Sequence, residues 1–282
     1  MTGEPPASAA SGSSPPVGTL DGWTRSRFTG RGLPAELQHD CFEKGSGPGV
    51  VLIPELPGIT PEVLGLAEHL VESGFTVVVP SPFGQPGRPV SGGYLLGTVA
   101  RICVSAEFRA FAVNASRPLT LFLRAVAADL AARTPGRGVG VIGMCFTGGF
   151  ALAAAVDDSV LAAVVSQPAA PFPLGRARQA DPSMSEAELS RVAERASAGE
   201  VCALGLRFSA DRNSPRARFD TLRRHLGDAF EIIELDSSPG NPAGFGARAH
   251  SVLTTEVRDL PGHPALAART RTVAFLHTHL TP

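Results

Sequence analysis

Among the side chains able to do covalent chemistry, Cys145 has the most telling surroundings. It stands in the run Gly143-Met144-Cys145-Phe146-Thr147-Gly148-Gly149. The apolar stretch Val139-Gly140-Val141-Ile142 before it reads as a short buried strand, and residues 150–156 after it read as a helix of small residues. Strand, sharp turn and helix are the parts of a nucleophile elbow, here G-x-C-x-x-G with sulfur at the tip. Glycines at 143 and 148 let the turn pass close to its neighbours and accept backbone angles that a β-carbon disfavours. A sulfur at that point lies near a helix N-terminus, whose free N–H groups favour a thiolate and an oxyanion. The plainer alternative is a buried cysteine in a glycine-rich turn, and the rest of the chain bears on the choice.

A cysteine nucleophile needs a base, and the base needs an acid to orient it. Asp211 follows an apolar stretch at 201–208 that reads as a strand, and His250 closes a Gly/Pro-rich loop at 241–249. Glu55 follows the buried strand Val50-Val51-Leu52-Ile53. Each has a structural alternative: Asp211 leading into the next helix with Asn213 and Ser214, His250 packing in its loop, Glu55 accepting backbone N–H groups. The rival acids Asp220 and Asp228 fall within or after a helix, and His69, His225, His277 and His279 fall on helices, with His263 at a helix start. Cys103 on a helix and Cys202 in a strand read as inert thiols.

The elements that must position these groups alternate along the chain. Strands are expected at 50–53, 75–79, 139–142, 160–165, 201–208 and 230–235, with a weaker edge strand at 37–42. Helices are expected from Thr60 as N-cap with Pro61 in the first turn, then at 94–113, 118–133, 150–156, 185–198, 215–226 and 263–280. The 185–198 helix opens on the capping box Ser185-Glu186-Ala187-Glu188. Residues 81–93 read as a loop and 169–182 as irregular. This alternation argues a single α/β domain over 21–282, with a mostly parallel sheet flanked by helices on both faces, behind a tail at 1–20 rich in Pro, Ala, Ser and Gly and expected to be disordered. In such sheets ligands bind at the C-terminal strand ends, where Glu55, Cys145, Asp211 and His250 all fall.

Composition narrows the function. With 282 residues and a net charge of -1, nothing draws the chain electrostatically to nucleic acid or a membrane surface. Lys44 is the sole lysine, so arginine carries nearly all the positive charge, which reads as a compositional bias and not as a binding stripe. No apolar run approaches the roughly 18 residues of a membrane span, no leader is evident, and four scattered cysteines without C-x-x-C suggest neither a disulfide framework nor a metal site. A cytoplasmic protein without metal or cofactor is expected, where a free thiol survives.

The order Cys145, Asp211, His250 is the nucleophile, acid, histidine order of α/β-hydrolases. With Ile53-Pro54-Glu55, the elbow run and Ala249-His250-Ser251, the sequence resembles the dienelactone hydrolase family over residues 48 to 280. The resemblance implies a hydrolase of small esters or lactones in which Cys145 attacks the carbonyl, His250 is general base and acid, and Asp211 fixes the imidazole tautomer. It implies that Glu55 contacts the resting thiol and takes part in its activation, and that the N–H groups of Phe146 and Leu56 form the oxyanion hole. The family members that cleave dienelactone hold its carboxylate with two arginines. Here Thr254 stands at one of those places and Gln85 near the other, so a substrate without that carboxylate is expected, unless Arg88, Arg101 or Arg109 reaches the pocket instead. Residues 94–116 and 169–198 look like enlarged elements able to cover the site. Two other readings stay open: a glutamine amidotransferase-like cysteine hydrolase, many of whose chaperone relatives carry histidine where Phe146 stands, and a hydrolase-fold binding protein without catalysis.

Overall fold

Strands β3 (Gly49–Ile53), β4 (Thr76–Ser81), β5 (Val139–Met144) and β6 (Val160–Ser166) are buried almost throughout, as parallel strands covered on both faces must be. With β7 (Cys202–Phe208) and β8 (Phe230–Leu235) they form the parallel part of an eight-stranded sheet of order β1-β2-β4-β3-β5-β6-β7-β8. Two antiparallel strands, β1 (Thr24–Arg27) and β2 (Asp40–Lys44), finish one edge. The computed structural model describes residues 14–30, 33, 37–104 and 118–281. The architecture is the α/β-hydrolase-type sheet expected from the sequence.

Two apolar layers lie on opposite faces of this sheet. One joins Val50, Leu52, Val77 and Val79 to helices α1 (Pro61–Glu72) and α8 (Pro264–Leu280). The other joins Val51, Ile53, Val139 and Val141 to α3 (Pro118–Arg133), α4 (Gly148–Ala154), α6 (Glu186–Ser197) and α7 (Arg216–Leu226). Alternate residues of each strand serve alternate layers. Helix α2 (Gly92–Val104) and the short α5 (Arg176–Ala180) lie in the segments that leave β4 and β6. The start of α1 follows its sequence: the Thr60 hydroxyl accepts the Val63 N–H and Pro61 occupies the first turn.

Several boundaries differ from the sequence reading. The edge strand falls at Asp40–Lys44, not 37–42, and β1 was not anticipated. Its residues Thr24–Arg27 are all exposed, so no apolar alternation marks them; backbone pairing with β2 and the Arg25–Asp40 ion pair define it. The elbow helix begins at Gly148, two residues early, and α5 interrupts the stretch expected to be irregular. Helix α2 begins at Gly92, and the remainder of its expected span lies outside the described residues after Val104. Of the expected tail, residues 1–13 also lie outside them, while Gly18 donates its N–H to the Pro61 carbonyl at the start of α1.

Among the described residues, four buried arginines fasten irregular segments through backbone carbonyls; Arg207 of β7 holds those of Ser209, Asp211 and Ser214, around the Asp211 loop. Arg195 of α6 donates to the carbonyls of Ala155, Asp157 and Val160. Arg218 of α7 donates to those of Pro168, Pro171, Arg178 and Asp181, clamping the segment that leaves β6. Arg269 of α8 makes two bonds to the Leu253 carbonyl, three residues beyond His250. Burial pushes the Arg218 and Arg269 guanidinium groups down to about 10, which leaves both charged at neutral pH.

Candidate active site

Strand register sets the site. Ile53 pairs with Gly143, Gly143 with Val165, and Met144 with Ser166, so β3, β5 and β6 end level with one another. Glu55, Cys145 and Gln167 therefore emerge side by side at the C-terminal edge. Beyond β7 and β8, the loops bearing Asp211 and His250 arrive at the same edge, which is where an open α/β sheet holds its ligands.

The turn at Cys145 is a single 3-10 turn, Cys145–Thr147, between β5 and α4. Cys145 has φ +53°, a left-handed conformation uncommon for a residue with a side chain. Neighbours enforce this tightness. A β-carbon on Gly143 would meet the Thr147 carbonyl, and one on Gly148 would come within 2.8 Å of Pro168. The Thr147 hydroxyl accepts the Met144 N–H at 3.0 Å and stands 3.2 Å and 3.3 Å from the carbonyl oxygens of Pro54 and Ile53. Its nearest acceptor is the Met144 carbonyl oxygen at 2.8 Å, so it closes the elbow on itself and packs it against the exit of β3.

His250 Nδ1 lies 2.6 Å from Asp211 Oδ2. The other carboxylate oxygen, Oδ1, accepts the Asn213 N–H at 2.9 Å, so Asp211 both shapes its own loop and orients the imidazole. With Nδ1 facing Asp211, Nε2 is the nitrogen left for Cys145, which is near enough to bear on the proton affinity of the ring. Burial disfavours the imidazolium, yet the hydrogen bond to Asp211 and the proximity of Cys145 overcome it and raise His250 to about 11. Burial pushes the thiol of Cys41 in β2 up to about 12. Glu256 supports the histidine from behind by accepting its backbone N–H, and burial raises the Glu256 carboxyl above its ordinary value.

The structure brings Cys145, Asp211 and His250 to one place at this edge. Glu55 also reaches this edge, but the Cys145 thiol is not among its donors. Its carboxylate takes hydrogen bonds from Ser251 Oγ at 2.7 Å, from Gln167 Nε2 at 3.2 Å and from Thr254 Oγ1. Gln167 was not singled out from sequence, although its place at the exit of β6 is the kind of position that supplied the other site residues. Leu56 and Phe146 sit at the β3 exit and in the elbow turn, half-buried, and the Phe146 ring meets Phe83 edge-on.

The candidate substrate arginines fare unevenly. Arg88 is exposed, hydrogen-bonded to Gln85 Oε1 at 2.8 Å, with its guanidinium 4.4 Å from the centre of the Tyr94 ring. Arg101 is exposed on α2, and Arg109 lies outside the described residues. A groove of about 630 Å³ is lined by Phe172, Leu174, Arg212 and Pro215 among others, and neither Asp211 nor His250 nor Cys145 lines it. Of the two segments expected to cover the site, the one after β6 runs against the elbow, with the Ala169 N–H bonded to the Cys145 carbonyl at 2.9 Å. Most of the other, after residue 104, is not described. No group of three or more potential metal ligands occurs among the described residues, and no helix among them is long and apolar enough to cross a membrane.

With fold and site in view, comparison with known proteins is direct. The dienelactone hydrolase family matches residues 41–251, most of the chain, and the protein belongs to that family of α/β-hydrolases. Similar solved structures include a protein assigned as a dienelactone hydrolase from Klebsiella pneumoniae, at 16% identity and TM-score 0.58, covering 91% of this chain and 99% of the other. A dienelactone hydrolase-like promiscuous phosphotriesterase from metagenomic libraries matches at 15% identity and TM-score 0.60, covering 92% and 99%. An α/β-hydrolase from a Penicillium species matches at 15% identity and TM-score 0.57, covering 92% and 99%. At such identities these likenesses speak for the fold alone. No curated protein matches the sequence. Family membership decides against the glutamine amidotransferase-like reading.

Proposed function

We propose that the protein hydrolyses a carboxylic ester or lactone through an acyl-enzyme on Cys145. The observation that carries this reading is the line from Asp211 through His250 to Cys145 at a left-handed elbow. Cys145 Sγ attacks the carbonyl carbon as its proton passes to His250 Nε2, and the Asp211 carboxylate stabilises the imidazolium so formed. The oxyanion is received by the N–H groups of Phe146 and Leu56, and a donor of this kind contributes about 3 kcal/mol in comparable sites. His250 then gives its proton to the departing alkoxide. In the second half it takes a proton from water, whose oxygen attacks the thioester, and returns that proton as Cys145 leaves. Asp211 keeps Nδ1 protonated throughout, so that Nε2 does the exchanging.

The acyl group we infer is neutral. The Thr254 hydroxyl is committed to Glu55, and the cation beside Gln85, Arg88, is exposed and held by Gln85 Oε1 and the Tyr94 ring, so neither place offers a buried cation to a carboxylate. A carboxylate buried without such a partner loses several kcal/mol of affinity. A thiol nucleophile also suits a reducing compartment such as the cytoplasm.

A short-chain aryl ester tests the reaction. Cys145→Ala is expected to lower kcat at least about 10³-fold with the fold intact, as loss of a nucleophile does. Wild-type turnover by that variant would remove Cys145 from the mechanism, and an inactive parent that still binds esters would favour a binding protein. Comparing kcat/KM for a lactone carboxylate with that for its neutral methyl ester tests the acyl preference, and a clear preference for the acid would overturn it.

A further inference from the structure

Glu55 takes no proton in the scheme above, yet few groups in the protein are held more completely. It is 5% exposed, and its three hydrogen bonds all come from side chains of other elements: Gln167 after β6, and Ser251 and Thr254 from the loop that carries His250. Gln167 and Thr254 are wholly buried. Gln167 is itself in a left-handed conformation, φ +34°, and its amide oxygen accepts the Ser166 hydroxyl. A non-glycine residue keeps such a conformation only where its surroundings over-determine it. A buried carboxylate is costly unless its oxygens are met by donors, and here both are met.

What this arrangement fixes follows from chain position. Leu56, whose N–H is assigned to the oxyanion, comes directly after Glu55. On its other side the β3 exit packs against the elbow, where the Thr147 hydroxyl lies against the carbonyls of Ile53 and Pro54. The two-residue span Glu55-Leu56 thus connects the nucleophile turn with the histidine loop, with Ser251 one residue and Thr254 four residues after His250. A carboxylate with three donors is poorly placed to swing toward the thiol and back.

We propose that Glu55 is a positioning residue, a fixed strut that Gln167, Ser251 and Thr254 hold so that the Leu56 N–H keeps its place relative to Cys145 and His250. This rests on the ester-hydrolase reading and departs from the family resemblance, in which the glutamate at this place meets the resting thiol. An oxyanion donor acts on a charge that exists only as the reaction proceeds, so disturbing the strut affects kcat and spares KM.

Thr254→Val is the informative change, because it removes one donor and keeps the shape. Its kcat for the aryl ester is expected to fall about 10²-fold, the scale of a misplacement of roughly 1 Å, with KM within about twofold. Thr254→Ser, which restores the hydroxyl, is expected to recover most of the loss. The rate of Cys145 alkylation by iodoacetamide, followed against pH, should be the same in parent and Thr254→Val, since the pair of Cys145 and His250 does not involve the strut. Ser251→Ala removes the partly exposed donor, and it supplies the same kcat and alkylation readings if Thr254→Val folds poorly. A changed alkylation profile would mean that Glu55 gates the thiol, and an unchanged kcat would mean that Leu56 needs no strut; either result overturns the proposal. Equal losses in Thr254→Val and Thr254→Ser would assign the effect to packing and overturn it as well. A parent protein that is alkylated at Cys145 but hydrolyses no ester would instead defeat the hydrolase reading on which the proposal stands.

Discussion

The charge on His250 is set by two neighbours acting against its burial, and each can be removed. In Cys145→Ala the influence of the sulfur on the ring is lost, so the imidazole should titrate below the value of about 11 it has in the intact site. Ring-proton NMR reads this, and an unmoved titration would show that the sulfur does not hold the proton in place. The direction for stability follows. The folded value lies above the ordinary 6.5, so the contribution of His250 to stability is fully present below about pH 6.5 and disappears as pH rises through about 11. The difference in urea midpoint between parent and His250→Ala should accordingly shrink from pH 6 toward pH 11, and a constant difference would contradict the assignment. At this scale the sequence was informative where the chemistry demands particular residue types, as at Cys145, Asp211 and His250. It was silent on Gln167, Ser251 and Thr254 as donors to Glu55, because neutral hydroxyls and amides are common and no spacing tells which buried carboxylate they will meet.

Elements carry these residues, and their anchoring is testable separately from the chemistry. Arg218 holds four carbonyls of the segment leaving β6, the same segment whose Ala169 N–H bonds the Cys145 carbonyl. Arg218→Met would leave those carbonyls short of a donor, and each buried acceptor so stranded costs about 1–3 kcal/mol. A loss of at least about 3 kcal/mol is expected, seen as a lower urea midpoint and as faster proteolytic cleavage within 168–181, whereas an unchanged midpoint would show that water replaces the guanidinium at little cost. Strongly apolar or well-capped elements were legible: β3, β5, α1 with Thr60 and α6 with its capping box fall close to where their patterns put them. Helix α2 opens on Gly92 and Gly93, poor helix formers that conceal a start marked by Ser91, whose side chain accepts the Tyr94 N–H at 3.3 Å. Strand β1 offers no pattern to read, since backbone pairing makes it and all its side chains face water.

Across the whole molecule, the two apolar layers divide the burden of stability while the edge between them carries Cys145, Asp211 and His250. Phe122 of α3 is fully buried, with Phe28 and His39 meeting its ring edge-on, so it joins the antiparallel edge of the sheet to the parallel part. Phe122→Ala is expected to destabilise by about 3–5 kcal/mol, measured in urea, while Cys145 alkylation in the folded protein stays at the parent rate; a joint loss of both would mean that the site and this layer are mechanically coupled. The overall α/β plan was legible because alternation of apolar strands and amphipathic helices is a long-range pattern that single misplaced ends do not blur. Arg195, Arg218 and Arg269 hold their segments by main-chain oxygens, and every amino acid presents the same carbonyl. Such anchors are indifferent to the identity of what they grip. Phe172 and Leu174, 62% and 75% exposed at the rim of the groove, hang from a segment whose footing they do not supply. New side chains can be written there, by mutation over generations or by a library at the bench, and the scaffold beneath retains its shape while the character of the groove changes.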